Sequence, residues 1–196
     1  MHRKLNQYPS VFLHTGDFFL GVKPTLVTTV LGSCVAVTMF APRLQAGVIC
    51  HAFLPDSRIT TRNLALEPQV CRFVDTAMPS LFGSMARLGC DPHELIIKVF
   101  GGGSGFAIGM NGGNGNFRVG QRNIAAVLAY LEDQGLAPTA QDVGGEVGRK
   151  IHFLTHTGEV WVKRLPRYDA EIVEGMRQAG SGIAGRPSMV RGPYGR

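Results

Sequence analysis

The sequence has few features of a secreted or membrane-spanning protein. Within its 196 residues, no stretch approaches the roughly 20 consecutive apolar residues that a membrane-crossing helix requires. The start, Met1 to Ser10, lacks the apolar run of a signal peptide. We therefore expect a cytoplasmic protein that does not insert into a membrane.

Cysteine is scarce, and its spacing excludes the common metal and redox motifs. The four cysteines, Cys34, Cys50, Cys71 and Cys90, form no C-x-x-C pair and no zinc-finger pattern. Because a cytosol keeps thiols reduced, each cysteine is expected to be either a small buried hydrophobe or a reactive thiol. We expect no metal site and no organic cofactor.

Positive charge is in excess but is not concentrated. The formal net charge is +6, yet the lysines and arginines are scattered and form no long basic helix. A solvated surface is therefore favoured over a nucleic-acid site, and no nucleic-acid partner is expected. A basic surface could also meet an acidic protein partner.

The hydrophobic pattern predicts a mixture of strands and two main helices. Apolar runs rich in β-branched residues predict strands at 18–22, 25–31, 35–40, 47–54, 95–100, 139–143, 150–154 and 160–165. Helical spacing predicts one helix from about Val70 to Leu88, kinked or interrupted at Pro79. A glycine- and asparagine-rich loop is expected at 109–116, before a second helix around Ile124 to Leu131.

The order of these elements predicts an α+β fold. Strands and helices do not alternate regularly, so a doubly wound parallel sheet is disfavoured and a layered α+β domain fits better. We expect one domain over residues 1–167. Residues 168–196 are poor in aliphatic side chains and are expected to form a mobile tail.

One segment has the properties that a cysteine nucleophile needs. An apolar strand ends at Leu31, Gly32 and Ser33 then turn the chain, and Cys34 follows the turn. Such a setting holds a thiol on rigid flanks with backbone N–H groups nearby. The amide of Cys34, together with those of Gly32 and Ser33, is a candidate donor to the oxyanion that forms during attack.

The strand after Cys34 and the next apolar run predict a hairpin that carries a histidine. His51 lies 17 residues after Cys34, near the open end of this hairpin. A thiol becomes a nucleophile at neutral pH when a base lies within hydrogen-bond reach. The strand register is not determined by the sequence, so both a catalytic pair and two buried core residues are compatible with the pattern.

Several motifs together resemble the chemoreceptor glutamine deamidase family, CheD. They are T-x-x-L-G-S-C-V-A-V from Thr28, H-A-F-L-P from His51, K-V-F-G-G-G from Lys98, G-Q-R-N from Gly120, and D-V-G-G followed by G-R-K from Asp142. The resemblance extends from about Asp17 to Leu165. The order and spacing of the motifs make it specific.

The resemblance implies a fold, a site and a reaction. The fold would be a layered α/β/β sandwich. Cys34 would be the nucleophile, His51 the general base and Thr28 a third catalytic residue that orients His51. The substrates would be glutamine side chains of methyl-accepting chemotaxis receptors, converted to glutamate, and a CheC-type chemotaxis phosphatase would be a further partner.

Two other functions fit parts of the sequence. A non-catalytic adaptor could use the same fold to bind a CheC-type phosphatase or receptor helices, although it would not need the Cys34 and His51 pair. A cysteine protease or transglutaminase would share the acyl-enzyme chemistry. No peptide-binding cleft or amine-acceptor site is evident for either.

Overall fold

A computed structural model describes residues 7–59, 70–104 and 114–165 of the chain. Nine strands are present in this part: β1 (Ser10–Phe12), β2 (Phe18–Gly21), β3 (Leu26–Leu31), β4 (Val35–Ala41), β5 (Ala46–Ala52), β6 (Ile96–Gly101), β7 (Ala140–Val143), β8 (Arg149–Leu154) and β9 (Val160–Arg164). The helices are α1 (Val74–Arg87) and α2 (Asn114–Asp133), and 3₁₀ turns cover Pro42–Leu44, Ser57–Ile59 and Pro92–Glu94.

The strands form two sheets that pack face to face. The larger sheet has the order β2-β5-β4-β6-β7, and the smaller has the order β1-β3-β8-β9. Both helices contribute to the core on one face of the larger sheet, while the smaller sheet covers its other face. The predicted α+β class and its α/β/β layering are confirmed.

The hairpin of β4 and β5 lies at the centre of the molecule. Both strands are buried along their whole length. Val35, Val37 and Met39 face the helices, whereas Ala36 faces the smaller sheet. Because neighbouring side chains on a strand point to opposite faces, a strand covered on both sides needs a continuous apolar run, as this segment has.

Helix α1 packs its apolar stripe on the larger sheet and continues through a proline. Val74, Met78, Leu81 and Met85 are buried at the expected helical spacing. Pro79 lies inside a helix that is continuous from Val74 to Arg87, so of the predicted kink or interruption the interruption is absent. Pro79 is exposed, so water can bind the carbonyl that its missing N–H leaves unpaired.

Three features of the fold differ from the sequence-based expectations. Strand β1 was not predicted, and it pairs in parallel with β3. Helix α1 begins at Val74 rather than Val70, and α2 begins at Asn114, inside the predicted loop. The rest of that loop and the predicted tail at 168–196 lie outside the described residues.

No helix within the described part of the chain is long and apolar enough to cross a membrane.

Candidate functional site

The register of the central hairpin places Cys34 and His51 on one face. His51 lies directly opposite Ala36, and Cys34 precedes Ala36 by two residues. Cys34 packs against the cluster between the two sheets that includes Ala36, so its side chain points to the same side as His51. Diagonal neighbours of this kind are about 7–8 Å apart between backbone positions, within reach of a long or aromatic side chain. The shared face, which the sequence left open, is therefore present.

Both groups are neutral at pH 7 in this arrangement. Burial raises the pKa of the Cys34 thiol to about 11, although a hydrogen bond with its own backbone acts in the opposite direction. Burial lowers the pKa of His51 to about 4; a hydrogen bond with the backbone of Leu13 acts against this change, and the electrostatic interaction with His14 acts with it. The resting site thus holds a thiol and an uncharged imidazole rather than an ion pair.

Thr29 fixes the proton on the imidazole. Its hydroxyl donates to the carbonyl of Leu13 at 2.8 Å and lies 2.8 Å from Nδ1 of His51. Since a hydroxyl has a single proton, Thr29 can only accept a hydrogen bond from Nδ1, which must carry the hydrogen. The Nε2 atom then carries the lone pair, as a general base requires.

The structure does not place Thr28, the residue that the resemblance implied to orient His51, against His51. The Thr28 hydroxyl lies 2.7 Å from Nδ1 of His152, on the opposite face of the same strand. Adjacent residues on a strand point to opposite sides, so only one of the two threonines can reach His51. That residue is Thr29, which is fully buried between the sheets.

The segment between β1 and β2 encloses His51. Gly16 donates its N–H to the His51 carbonyl at 2.7 Å, and the His51 N–H binds the Asp17 carbonyl at 3.0 Å. The hydroxyl of Thr15 lies 3.4 Å from Nε2. Within the described residues, no hydrogen bond joins the Cys34 sulfur to the imidazole, so a productive contact requires a local rearrangement. Catalytic hydrogen bonds are often long in free enzymes and tighten with substrate.

A glycine segment, residues 101–103, holds the turn that carries Cys34. Gly102 donates its N–H to the Cys34 carbonyl at 2.7 Å, and Gly103 donates to the Gly32 carbonyl at 2.8 Å. Gly101 has a φ of +107°, and a side chain there would collide with the Cys34 carbonyl. The sequence signal for this support was the glycine-ended strand that begins at Lys98.

The glycine segment is itself held in place by a buried arginine. Arg149 donates to the carbonyls of Gly101, Asp142 and Gly144, and it forms an ion pair with Asp142 at 3.4 Å. Its side chain is 2% exposed. Sequence reasoning placed Arg149 in a motif but assigned it no task, because its partners are backbone groups from distant strands.

The other cysteines lie away from this arrangement. Cys50 points to the helix side of the sheet, and Cys71 and Cys90 are buried in the same helix-side core. A hydrogen bond with Cys50, together with burial, raises the pKa of Cys71. In the ranges that the structure describes, no three or more histidine, cysteine or acidic side chains are grouped so that they could hold a metal ion.

A family profile described as CheD chemotactic sensory transduction matches residues 53–164, more than half of the chain. The chain is also similar to curated proteins over most of its length. A "probable chemoreceptor glutamine deamidase CheD" from Maridesulfovibrio salexigens is 52% identical over 160 residues, covering 81% of this chain and 93% of the relative.

More distant relatives bear the same name. A "probable chemoreceptor glutamine deamidase CheD 2" from Geobacter sulfurreducens is 41% identical over 170 residues, covering 87% of this chain and 97% of the relative. A relative from Methanococcus maripaludis is 32% identical over 149 residues, covering 76% of this chain and 91% of the relative. With the profile match and full-length relatives in agreement, the chain belongs to the CheD family.

Proposed function

We propose that this protein is a protein-glutamine deamidase that converts glutamine side chains of chemoreceptors to glutamate and releases ammonia. The observation that carries the proposal is the placement of a partly buried thiol and a single-tautomer imidazole on one face of the central hairpin. The names of the relatives supply the substrate class.

The first half of the reaction forms a thioester. Nε2 of His51 takes the Cys34 proton as the sulfur attacks the carbon of the glutamine carboxamide, which gives a tetrahedral intermediate. Backbone N–H groups of the Gly32, Ser33 and Cys34 turn stabilise its oxyanion. His51 then gives the proton to the departing nitrogen, and ammonia leaves.

The second half returns the free enzyme. Nε2 of His51 accepts a proton from water, and the resulting hydroxide attacks the thioester carbon. The carbon–sulfur bond breaks, the sulfur recovers a proton from His51, and the product is glutamate. The net change is the addition of one water and the loss of one ammonia, with no redox step.

The neutral resting state makes attack dependent on substrate. Proton transfer from a thiol of pKa about 11 to an imidazole of pKa about 4 is strongly unfavourable in the free protein. A bound carboxamide couples this transfer to carbon–sulfur bond formation. The buried pair therefore remains inert until a glutamine side chain enters, which limits reaction with other electrophiles.

A chemoreceptor is the proposed substrate, and a CheC-type phosphatase is a proposed regulatory partner. Each deamidation replaces a neutral side chain by a negative one without cutting the chain. The formal net charge of +6 favours association with acidic partners. The cytosol is the compartment in which receptor signalling segments would meet the enzyme.

The reaction is tested by incubating chemoreceptor cytoplasmic fragments with the protein in water enriched in oxygen-18. Peptide mass spectrometry should show glutamines replaced by glutamates that each carry one labelled oxygen. Cys34→Ala should abolish both the conversion and the ammonia release. Cys90→Ser is the matched control and should retain activity, because Cys90 is a buried cysteine in the helix-side core, near the closed end of the hairpin and not at the end that carries Cys34 and His51.

A Cys34→Ala variant with wild-type conversion would contradict the nucleophile. Absence of conversion in the wild type, combined with tight binding to the receptor fragment, would favour the adaptor function instead.

A further inference from the structure

We propose that Asn123 is a positioning residue, which holds the turn that carries Cys34 and the end of the strand that carries His51 in one fixed arrangement. This inference rests on the proposed deamidase function. Asn123 is not adjacent to either residue in sequence. It acts through the backbone of the two segments and is not itself proposed to touch the reacting atoms.

The carboxamide of Asn123 joins the two segments directly. Its Nδ2 atom donates to the carbonyl of Ser33 at 3.0 Å and to the carbonyl of Phe53 at 2.9 Å. Ser33 immediately precedes the nucleophile, and Phe53 lies two residues after His51. Because both partners are carbonyls, which only accept, the nitrogen of the carboxamide must face them, and both of its protons are used.

Helix α2 is placed so that this side chain can reach the turn. A side chain at Gly102 would occupy the position of the Ile124 side chain, so this part of the helix lies directly against the glycine segment. Gly102 in turn holds the Cys34 carbonyl. The Cys34 turn is therefore held through two consecutive carbonyls. Helix α2 binds the carbonyl of Ser33, and the glycine segment binds the carbonyl of Cys34.

The environment of Asn123 indicates a specific task rather than general packing. The residue is 0% exposed, and its Oδ1 atom has no hydrogen-bond partner among the described residues. A buried carboxamide with an unpaired oxygen lowers stability relative to an apolar side chain of the same shape. Its retention is explained by the two donors, which an apolar residue lacks.

The arrangement sets the separation between thiol and imidazole. Ser33 and Phe53 flank the open end of the hairpin, where ladder hydrogen bonds no longer hold the strands together. Removing the carboxamide takes away the direct link between the two segments, although Gly102 and Gly103 still hold the Cys34 side, and the Cys34 turn can then shift relative to His51. Misplacement of a reacting group by about 1 Å can reduce a rate by about 100-fold.

The test compares Asn123→Ala and Asn123→Asp with the wild-type protein. Asn123→Asp keeps the shape but presents oxygen atoms to both carbonyls, so it removes at least one of the two hydrogen bonds. In both variants, kcat should fall by about 10- to 100-fold while KM for the receptor fragment changes little. Ser84→Ala is the control, because Ser84 is a buried polar residue whose hydrogen bonds stay within α1.

A second readout does not depend on the receptor substrate. Iodoacetamide alkylation of Cys34 follows the thiolate fraction, and burial is the main cause that raises the pKa of this thiol to about 11. A freed turn should expose the sulfur, so the midpoint of the pH–alkylation curve should move lower in both Asn123 variants. Activity would then fall while thiol reactivity near neutral pH rises, and Ser84→Ala should show neither change.

Wild-type kcat and an unmoved alkylation curve in a folded Asn123→Asp protein would overturn the proposal. If neither variant folds, NMR of the wild type decides, since rapid solvent exchange of the Asn123 side-chain protons would also overturn it. If the wild type has no deamidase activity, the proposed function fails, whereas a shifted alkylation midpoint would still support the role of Asn123 at the thiol.

Discussion

At the scale of single residues, two adjacent threonines have different partners. Thr29 faces the space between the sheets and accepts a hydrogen bond from His51, whereas Thr28 faces outward and contacts His152. The third group of a triad acts by selecting the tautomer of the base. The geometry therefore favours Thr29 over Thr28 for that proposed task.

Replacement of each threonine by valine tests which of the two, Thr28 or Thr29, acts on His51. Thr29→Val removes the hydroxyl at nearly constant volume and leaves Nδ1–H of His51 without its acceptor. We expect kcat to fall by about 10- to 100-fold, which corresponds to about 1–3 kcal/mol for an unsatisfied buried group. Thr28→Val should have the smaller effect when both variants are assayed for ammonia release.

The opposite ranking, with Thr28→Val the more damaging variant, would support the role that family resemblance implied for Thr28.

The sequence predicted Cys34 and His51 as a catalytic pair but could not choose between the threonines. In β3, both alternating sets contain apolar residues: Leu26 and Val30 accompany Thr28, and Val27 and Leu31 accompany Thr29. The face that meets His51 depends on how the two sheets pack, which involves contacts between residues far apart in sequence. Asn123 and Arg149 were not identified for the same reason, since their partners are distant carbonyls.

At the scale of secondary-structure elements, the end of β6 supports the turn that carries the proposed nucleophile, Cys34. Its last residue, Gly101, combines a positive φ with contact to the Cys34 carbonyl. The strand itself was predicted from its apolar run, as were the hairpin and both helices. Strand β1 was missed because three residues are too few to show an alternating pattern, and it pairs with a strand 16 residues away.

Two glycine substitutions test the importance of this strand end. Gly101→Ala should reduce stability by about 2–4 kcal/mol, from backbone strain plus displacement of the Cys34 carbonyl, and should lower kcat by at least about tenfold. Gly89→Ala is the matched control. Gly89 has a φ of +78° with open space around its Cβ position, so it should lose about 1–2 kcal/mol and keep its activity.

Urea unfolding and ammonia release measured on both variants give the comparison. Equal losses of stability with full activity in both would show that the strand end does not position Cys34.

At the scale of the whole molecule, the buried His51 imidazole and Cys34 thiol define the pH range in which the fold is most stable. The pKa of His51 is lowered in the folded state, so the folded protein binds fewer protons than the unfolded chain in acid. The full contribution of His51 to the free energy of unfolding is present above pH 6.5, and it is lost as the pH falls towards about 4. The pKa of Cys34 is raised in the folded state. The full contribution of Cys34 to the free energy of unfolding is therefore present below pH 9, and it is lost as the pH rises towards about 11.

We expect the free energy of unfolding to be greatest between these limits. The His51 contribution amounts to about 3 kcal/mol between pH 6.5 and pH 4. His51→Gln should have a visibly flatter acid limb in urea titrations at a series of pH values, and Cys34→Ala should have a flatter alkaline limb. Unchanged slopes in both variants would show that neither group is buried in its neutral form.

The carbonyl of Leu13, which fixes the hydroxyl of Thr29, has a practical consequence for work with shortened versions of the protein. The segment that matches the family profile begins at residue 53, after the proposed nucleophile, the proposed base and this carbonyl. A fragment trimmed to that segment would lack Cys34, His51 and Leu13, however well it folded. Deletions or bulky affinity tags close to Leu13 would disturb the hydrogen bonds that keep the proton on Nδ1 of His51. Tags are therefore better attached at the opposite end of the chain.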